Sequence, residues 1–200
     1  RLTEHSLHLY SQETLFDKIA RTVCRAKCLP RKELYEAWEV ARQTRRRFRG
    51  GRIVDMACGH GLLSQIMLLL DNSSPRALAV DKCLPPSCHK LHSALIQDWP
   101  RLDNRIDFIQ SDLADIELTA EDIVVSAHAC GSLTDEILDR AVHAGARLAL
   151  LPCCHDLQKC DTGDLQGWMD GPLAIDATRV ARLKQQGYTV MTRTIPEDIT

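Results

Sequence analysis

Residues 52–61 read RIVDMACGHG, and residues 62–70 continue as LLSQIMLLL. A short apolar run, a glycine-bearing turn and a long apolar helix-like stretch follow one another without a break. That succession is a strand feeding a helix, and it recurs downstream. RALAVD (76–81), RIDFIQSD (105–112), DIVVSAHACG (122–131) and ARLALLPCCHD (146–156) read as four further strands, and YTVMTRTI (188–195) as a sixth. Between them, SCHKLHSALIQDW (87–99), LTDEILDRAVHAG (133–145) and DATRVARLKQQG (176–187) read as helices. Strands alternating with helices predict an α/β fold, a Rossmann-like, doubly wound and mostly parallel sheet. The strands are near-continuous apolar runs, as a sheet covered on both faces requires.

Upstream of the first strand the pattern is helical. Apolar residues recur at Leu15, Phe16, Ile19, Val23 and Ala26, and a second helix is expected from Arg31 to Phe48, ended by Gly50-Gly51. This divides the chain into an N-terminal helical extension (1–50) and a sheet domain (51–200). The two parts differ in charge. Residues 1–52 hold 13 Lys/Arg against 6 Asp/Glu, and the remainder 12 against 21. The densest stretch, RQTRRRFRGGR (42–52), carries six arginines around Phe48. Arg45, Arg46 and Arg47 are therefore expected to contact phosphates of an anionic polymer such as RNA. The plainer reading of the same arginines is a solvated helix end that complements the helix dipole.

Composition bounds the rest. Of 200 residues, 44% are hydrophobic and 26% charged, as in ordinary globular chains. No apolar run reaches the eighteen residues that would suggest a membrane span. Nine cysteines, with no secretory leader ahead of them, suit free thiols in a reducing cytoplasm. The chain opens on Arg1, as a trimmed chain or a fragment would.

Ligands of such sheets bind beyond the carboxyl ends of the strands. Asp55 ends the first strand and Gly59 and Gly61 follow it; Asp81 ends the second strand and Asp112 the third. A nicotinamide-binding chain would want G-x-G-x-x-G after the first strand. Here the turn is D-x-A-C-G-x-G, which resembles motif I of class I S-adenosylmethionine-dependent methyltransferases, with Ala57 in place of the first glycine. That resemblance implies that Asp55, Ala57, Gly59 and Gly61 lie against the methionine part of S-adenosylmethionine. It implies that Asp81 takes the ribose hydroxyls, with Lys82 beside it, and that Asp112 and Leu113 bracket the adenine.

The acceptor in that family faces the ends of the fourth and fifth strands. No N/D-P-P-Y/F segment of the amino-nitrogen enzymes occurs there. Instead H-x-C-G-x-x-T-D (128–135) and CCH (153–155) resemble the methyltransferase-domain family that includes tRNA ribose 2′-O-methyltransferases and the glutathione-transferase-C-terminal-domain-containing protein. GYTVMTRTIPEDIT (187–200) is a continuation of that likeness, and a seventh strand is expected after the sixth. The tRNA enzymes' zinc-finger segments are absent from the sequence.

Three chemistries fit the acceptor end. His128 or His155, with Asp156 nearby, would take the proton of a ribose hydroxyl. Cys130 with Cys153 or Cys154 would supply the thiolate that cytosine C5-methylation needs. Zinc held by Cys153, Cys154 and His155 is disfavoured, because neighbours in an extended segment point apart, and Cys24-x3-Cys28 lacks a second pair. No metal is therefore expected. Cys58 is read as packing, His60 as turned to solvent, His143 as a surface residue, and Thr134-Asp135 as a helix cap. The expectation is an RNA methyltransferase acting on tRNA. The alternatives are a small-molecule or protein methyltransferase, and a cofactor-binding module without turnover.

Overall fold

The computed structural model describes residues 1–196. Residues 197–200, which end the GYTVMTRTIPEDIT stretch, lie outside the described residues. After a 3-10 segment at Glu4–Leu9 come α1 (Leu15–Ala26) and α2 (Arg31–Arg47). The Thr14 hydroxyl accepts the Asp17 amide at 3.1 Å and starts α1, and Lys27 ends it in the left-handed region at φ 56°. Then follow β1 (Ile53–Met56), α3 (Leu62–Leu70), β2 (Ala77–Asp81), α4 (Ser87–Asp98), β3 (Ile106–Gln110), β4 (Ile123–Ser126), α5 (Ser132–Ala144), β5 (Arg147–Leu150) and α6 (Gly171–Gln185).

The five strands form one sheet in the order β3-β2-β1-β4-β5, and every neighbouring pair is parallel. Ile53 stands in register with Ala77 on one side and Ile123 on the other. Chain order reverses between β1 and β4, so the crevice of a doubly wound sheet opens there.

Strand period two sends alternate residues to two cores. Ile53, Ala77, Ala79, Ile123 and Val125 pack with α1–α4; Val54, Met56, Leu78, Val80 and Val124 pack with Ile137 and Ala141 of α5. Burying each Leu or Ile side chain contributes about 1.5–3 kcal/mol. The leading helices share the first core: Ile19, Val23, Leu34 and Ala41 lie with Ile66 and Met67 of α3. Pairing of Asp98 with Thr22 and Arg25 ties the end of α4 to α1.

One expected element is absent. YTVMTRTI (188–195) forms no strand, and its residues are mostly exposed. β propensity makes a strand only where a neighbour offers a ladder, and no described segment pairs with the outer edge of β5. Among the described residues no helix is long and apolar enough to cross a membrane.

Candidate functional site

The turn after β1 is held open by backbone geometry. Ala57, Gly59 and Gly61 all have positive φ, at 54°, 52° and 66°. A Cβ on Gly61 would meet the Phe108 ring at 2.7 Å, whereas one on Gly59 would meet nothing within 4 Å. Gly61 is thus small for packing, and Gly59 fronts free space. Ala57 carries its methyl in a conformation that costs an L-residue roughly 1–2 kcal/mol.

Three strand-end carboxylates surround this turn. Asp55 is buried and accepts the Ser64 amide of the first turn of α3 at 3.1 Å. Burial pushes its carboxyl up to about 7, against the opposing pull of the Ser64 bonds. Asp81 accepts the Gly59 amide on one oxygen at 2.9 Å and the Cys83 amide on the other at 3.1 Å. Asp112 caps the 3-10 turn Leu113–Asp115 through the Ala114 amide, which lowers its pKa, and lies 3.6 Å from the exposed Lys82 ammonium. Leu113 departs from expectation: its side chain is buried in the second core and offers no open face to a base.

Between this turn and α2 lies a small cleft lined by Glu33, Asp55, Ala57, His60, Leu63 and His128. His60 is not turned to solvent. Its Nε2 is 3.0 Å from the Ser87 hydroxyl, its Nδ1 is 3.7 Å from Glu33, and burial lowers its pKa. His128 follows β4 and is partly exposed; its Nε2 is 3.8 Å from Oε2 of Glu36. Glu36 is buried on α2, and that oxygen has no hydrogen-bond partner among the described residues. Sequence reasoning missed Glu36. The available signal was an acid two residues past Leu34, in the first turns of a helix whose apolar stripe faces the sheet.

The loops after β4 and β5 meet. The Gly131 amide donates to the Cys154 carbonyl at 2.9 Å. Cys130 Sγ lies 3.3 Å from Cys153 Sγ, which is 3.8 Å from Cys154 Sγ. The expectation that Cys153 and Cys154 point apart is therefore wrong. β5 stops at Leu150, so the pair sits in irregular backbone where strand alternation does not apply. Burial and the neighbouring thiols push the Cys153 thiol up to about 12, and the Cys130 thiol is also raised.

His155 and Asp156 do not pair with each other. His155 Nε2 lies 3.0 Å from Asp176 on α6, outside hydrogen-bonding alignment. Asp156 accepts the Gln158 amide at 3.0 Å and starts a tight turn. Asp156 is thus a turn residue, and Asp176 is the carboxylate beside His155. Thr134 and Asp135 do not cap α5 either: the Thr134 hydroxyl donates to the Ala129 carbonyl, and Asp135 receives a two-pronged bond from Arg179 at 2.9 and 2.8 Å. Arg179, buried on α6, also donates to the Gly131 carbonyl. The sequence signal for it was an arginine four residues after Ile175, on the buried face of an amphipathic helix.

The arginine-rich segment is less available than its composition implies. Arg45 is buried: its Nε donates to the Met67 carbonyl at 3.0 Å, its Nη2 to Ser74 at 2.9 Å, and it lies 3.5 Å from Asp71. It cannot contact a phosphate, because its guanidinium is consumed inside the protein. Arg42, Arg49 and Arg52 pair with Glu39, Asp71 and Asp122. Arg46 and Arg47 remain exposed, at the amino ends of the strands. A strand of four or five residues, roughly 13–17 Å long, separates them from the carboxyl ends where His128 sits.

The family model described as a methyltransferase domain matches residues 31–160. The glutathione S-transferase C-terminal domain-containing protein of Xenopus laevis is 32% identical over 106 residues, which are 53% of this chain and 15% of that protein. The chain thus spans a small part of that relative's length. An O-methyltransferase family protein from Burkholderia thailandensis superposes with a TM-score of 0.56 at 16% identity, over 97% of this chain and 60% of the other. That likeness is one of fold.

Proposed function

This chain belongs to a family of methyltransferase domains, and we propose that it transfers the methyl group of S-adenosylmethionine, with RNA as the acceptor. The observation that carries the proposal is convergence. Asp55, the glycine turn, Asp81 and Asp112 stand at the ends of three adjacent strands, and His128 stands at the end of the next.

The residues suit the cofactor. Gly59 leaves space where a side chain would block it. Each Asp81 oxygen accepts one amide and keeps a further lone pair, enough for two ribose hydroxyls. Asp112 is exposed and ionised for an exocyclic amine. S-adenosylmethionine, when bound, supplies an electrophilic methyl on a sulfonium. The protein's part is to align the acceptor and hold its proton.

His128 is the base in this reading. Its Nε2 stands 3.8 Å from the unpartnered Glu36 oxygen, and closing that gap would keep the ring proton on Nε2 and leave Nδ1 to take the proton of an acceptor hydroxyl. Glu36 orients the ring and stabilises it once charged. A nucleophile at Cys130 or Cys153 is disfavoured, because both thiols are raised and hold their protons at neutral pH. The likeness of H-x-C-G-x-x-T-D and CCH to the tRNA enzymes favours a ribose 2′-hydroxyl of tRNA. The free state of all nine cysteines suits a cytoplasmic protein.

The test is transfer of labelled methyl from S-adenosylmethionine to RNA, followed by nucleoside analysis. His128→Ala should abolish transfer and leave cofactor binding intact. Full activity in that variant removes the base assignment, and label found only on protein or small molecules removes RNA as the acceptor.

A further inference from the structure

The thiols of Cys130, Cys153 and Cys154 lie within 4.8 Å of one another, and they come from two separate loops. All three cysteines are free and exposed. We propose that they form a three-thiolate site for a borderline-soft divalent cation of the Zn²⁺ class, with a fourth position open to solvent.

The spacing suits one ion. With metal–sulfur bonds of about 2.3 Å, two sulfurs on a tetrahedral centre stand roughly 3.8 Å apart. The Cys153–Cys154 separation is 3.8 Å, and that of Cys130–Cys153 is 3.3 Å. Small side-chain rotations bring all three onto a common centre. The backbone is already set for this. The Gly131 amide is bonded to the Cys154 carbonyl, the Gly131 carbonyl to Arg179, and the Ala129 carbonyl to Thr134. An ion would therefore meet assembled loops and not have to order them. Binding releases the three thiol protons, and the cation's charge replaces the mutual repulsion of crowded sulfurs. His155, next in sequence, is turned to Asp176 and does not complete the shell. Three protein ligands and one open position is the arrangement in which zinc can take a water or an oxygen or sulfur of another molecule.

The site lies on the two loops of the proposed acceptor end, but its test reads metal alone and does not depend on methyl transfer. The chain, reduced and stripped with a chelator, is titrated with Zn²⁺ against a chromophoric competitor. Co²⁺ is then substituted and its sulfur-to-metal charge-transfer band recorded. One ion per chain is expected, with a band intensity that corresponds to three thiolates. Each of Cys130→Ser, Cys153→Ser and Cys154→Ser should weaken Zn²⁺ at least ~10-fold. Cys83→Ser, an exposed cysteine outside the cluster, should not change it. Circular dichroism checks that the variants stay folded. No stoichiometric binding under reducing conditions, or binding that survives Cys130→Ser unchanged, overturns the proposal.

Discussion

Replacing Arg45 by Ala should unfold this protein more readily without touching any RNA contact. The side chain is 4% exposed and supplies three separate buried partners: the Met67 carbonyl, the Ser74 hydroxyl and the Asp71 carboxylate. Burial lowers its pKa to about 10, so it remains charged at neutral pH; its loss takes a donor from the buried Met67 carbonyl and Ser74 hydroxyl and leaves Asp71 with Arg49 as its cation. Leaving a buried hydrogen-bonding group without its partner costs about 1–3 kcal/mol, and two such groups lose Arg45. For a chain of this length that is a fall of roughly 10 °C in the unfolding midpoint. Urea unfolding followed by circular dichroism measures it. Arg46→Ala and Arg47→Ala, at exposed positions on the same turn, should stay within about 0.5 kcal/mol of the parent. If Arg45→Ala is as stable as the parent but binds RNA more weakly, the burial argument fails and the guanidinium must reach solvent.

Other substitutions probe the site directly. Ala57→Gly relieves a positive φ at a small entropic cost and should stabilise the fold by about 0.5–1 kcal/mol in the same urea assay. Asp81→Ala should weaken S-adenosylmethionine about 10–100-fold by calorimetry, since two charge-assisted bonds are lost. Glu36→Gln should lower kcat, leave cofactor affinity unchanged and shift the acidic limb of the kcat–pH profile, which a merely structural Glu36 would not do. Asp55 has a folded pKa of about 7 against 3.8 for the ordinary carboxyl, so the folded state holds its proton longer. Its contribution is fully present below about 3.8 and is lost as pH rises to about 7; Asp55→Asn should flatten that part of the stability–pH curve, measured by urea midpoints from pH 5 to 8.

Much of the fold was legible because its signals are local. IVDM, ALAVD and IVVS are short apolar runs that each place one polar residue at or next to the carboxyl end, although Asp55 stands in register with Ala79 and Val125, short of Asp81 and Ser126. The sixth strand failed because YTVMTRTI has strand composition but no ladder to join. Arg45 was misread from its neighbours in sequence. Its helical phase told otherwise: it lies four residues after Ala41, on the inward stripe that includes Leu34 and Ala37. Glu36 beside His128 and Cys130 beside Cys153 are contacts over 92 and 23 residues, and no spacing rule announces such meetings.

The Arg179 clamp also bears on where this protein can be divided. The family likeness ends at residue 160, yet α6 begins at Gly171 and reaches back to Asp135 and Gly131. A piece cut at residue 160 would retain every residue expected to hold the cofactor. It would leave Asp135 and His155 facing water where a helix had been, and the two loops of the acceptor end would lose the brace that joins them. Such a piece should still bind S-adenosylmethionine and fail to present an acceptor. On the proposed reading, the smallest unit able to transfer a methyl group extends through α6, past the boundary that the family likeness marks.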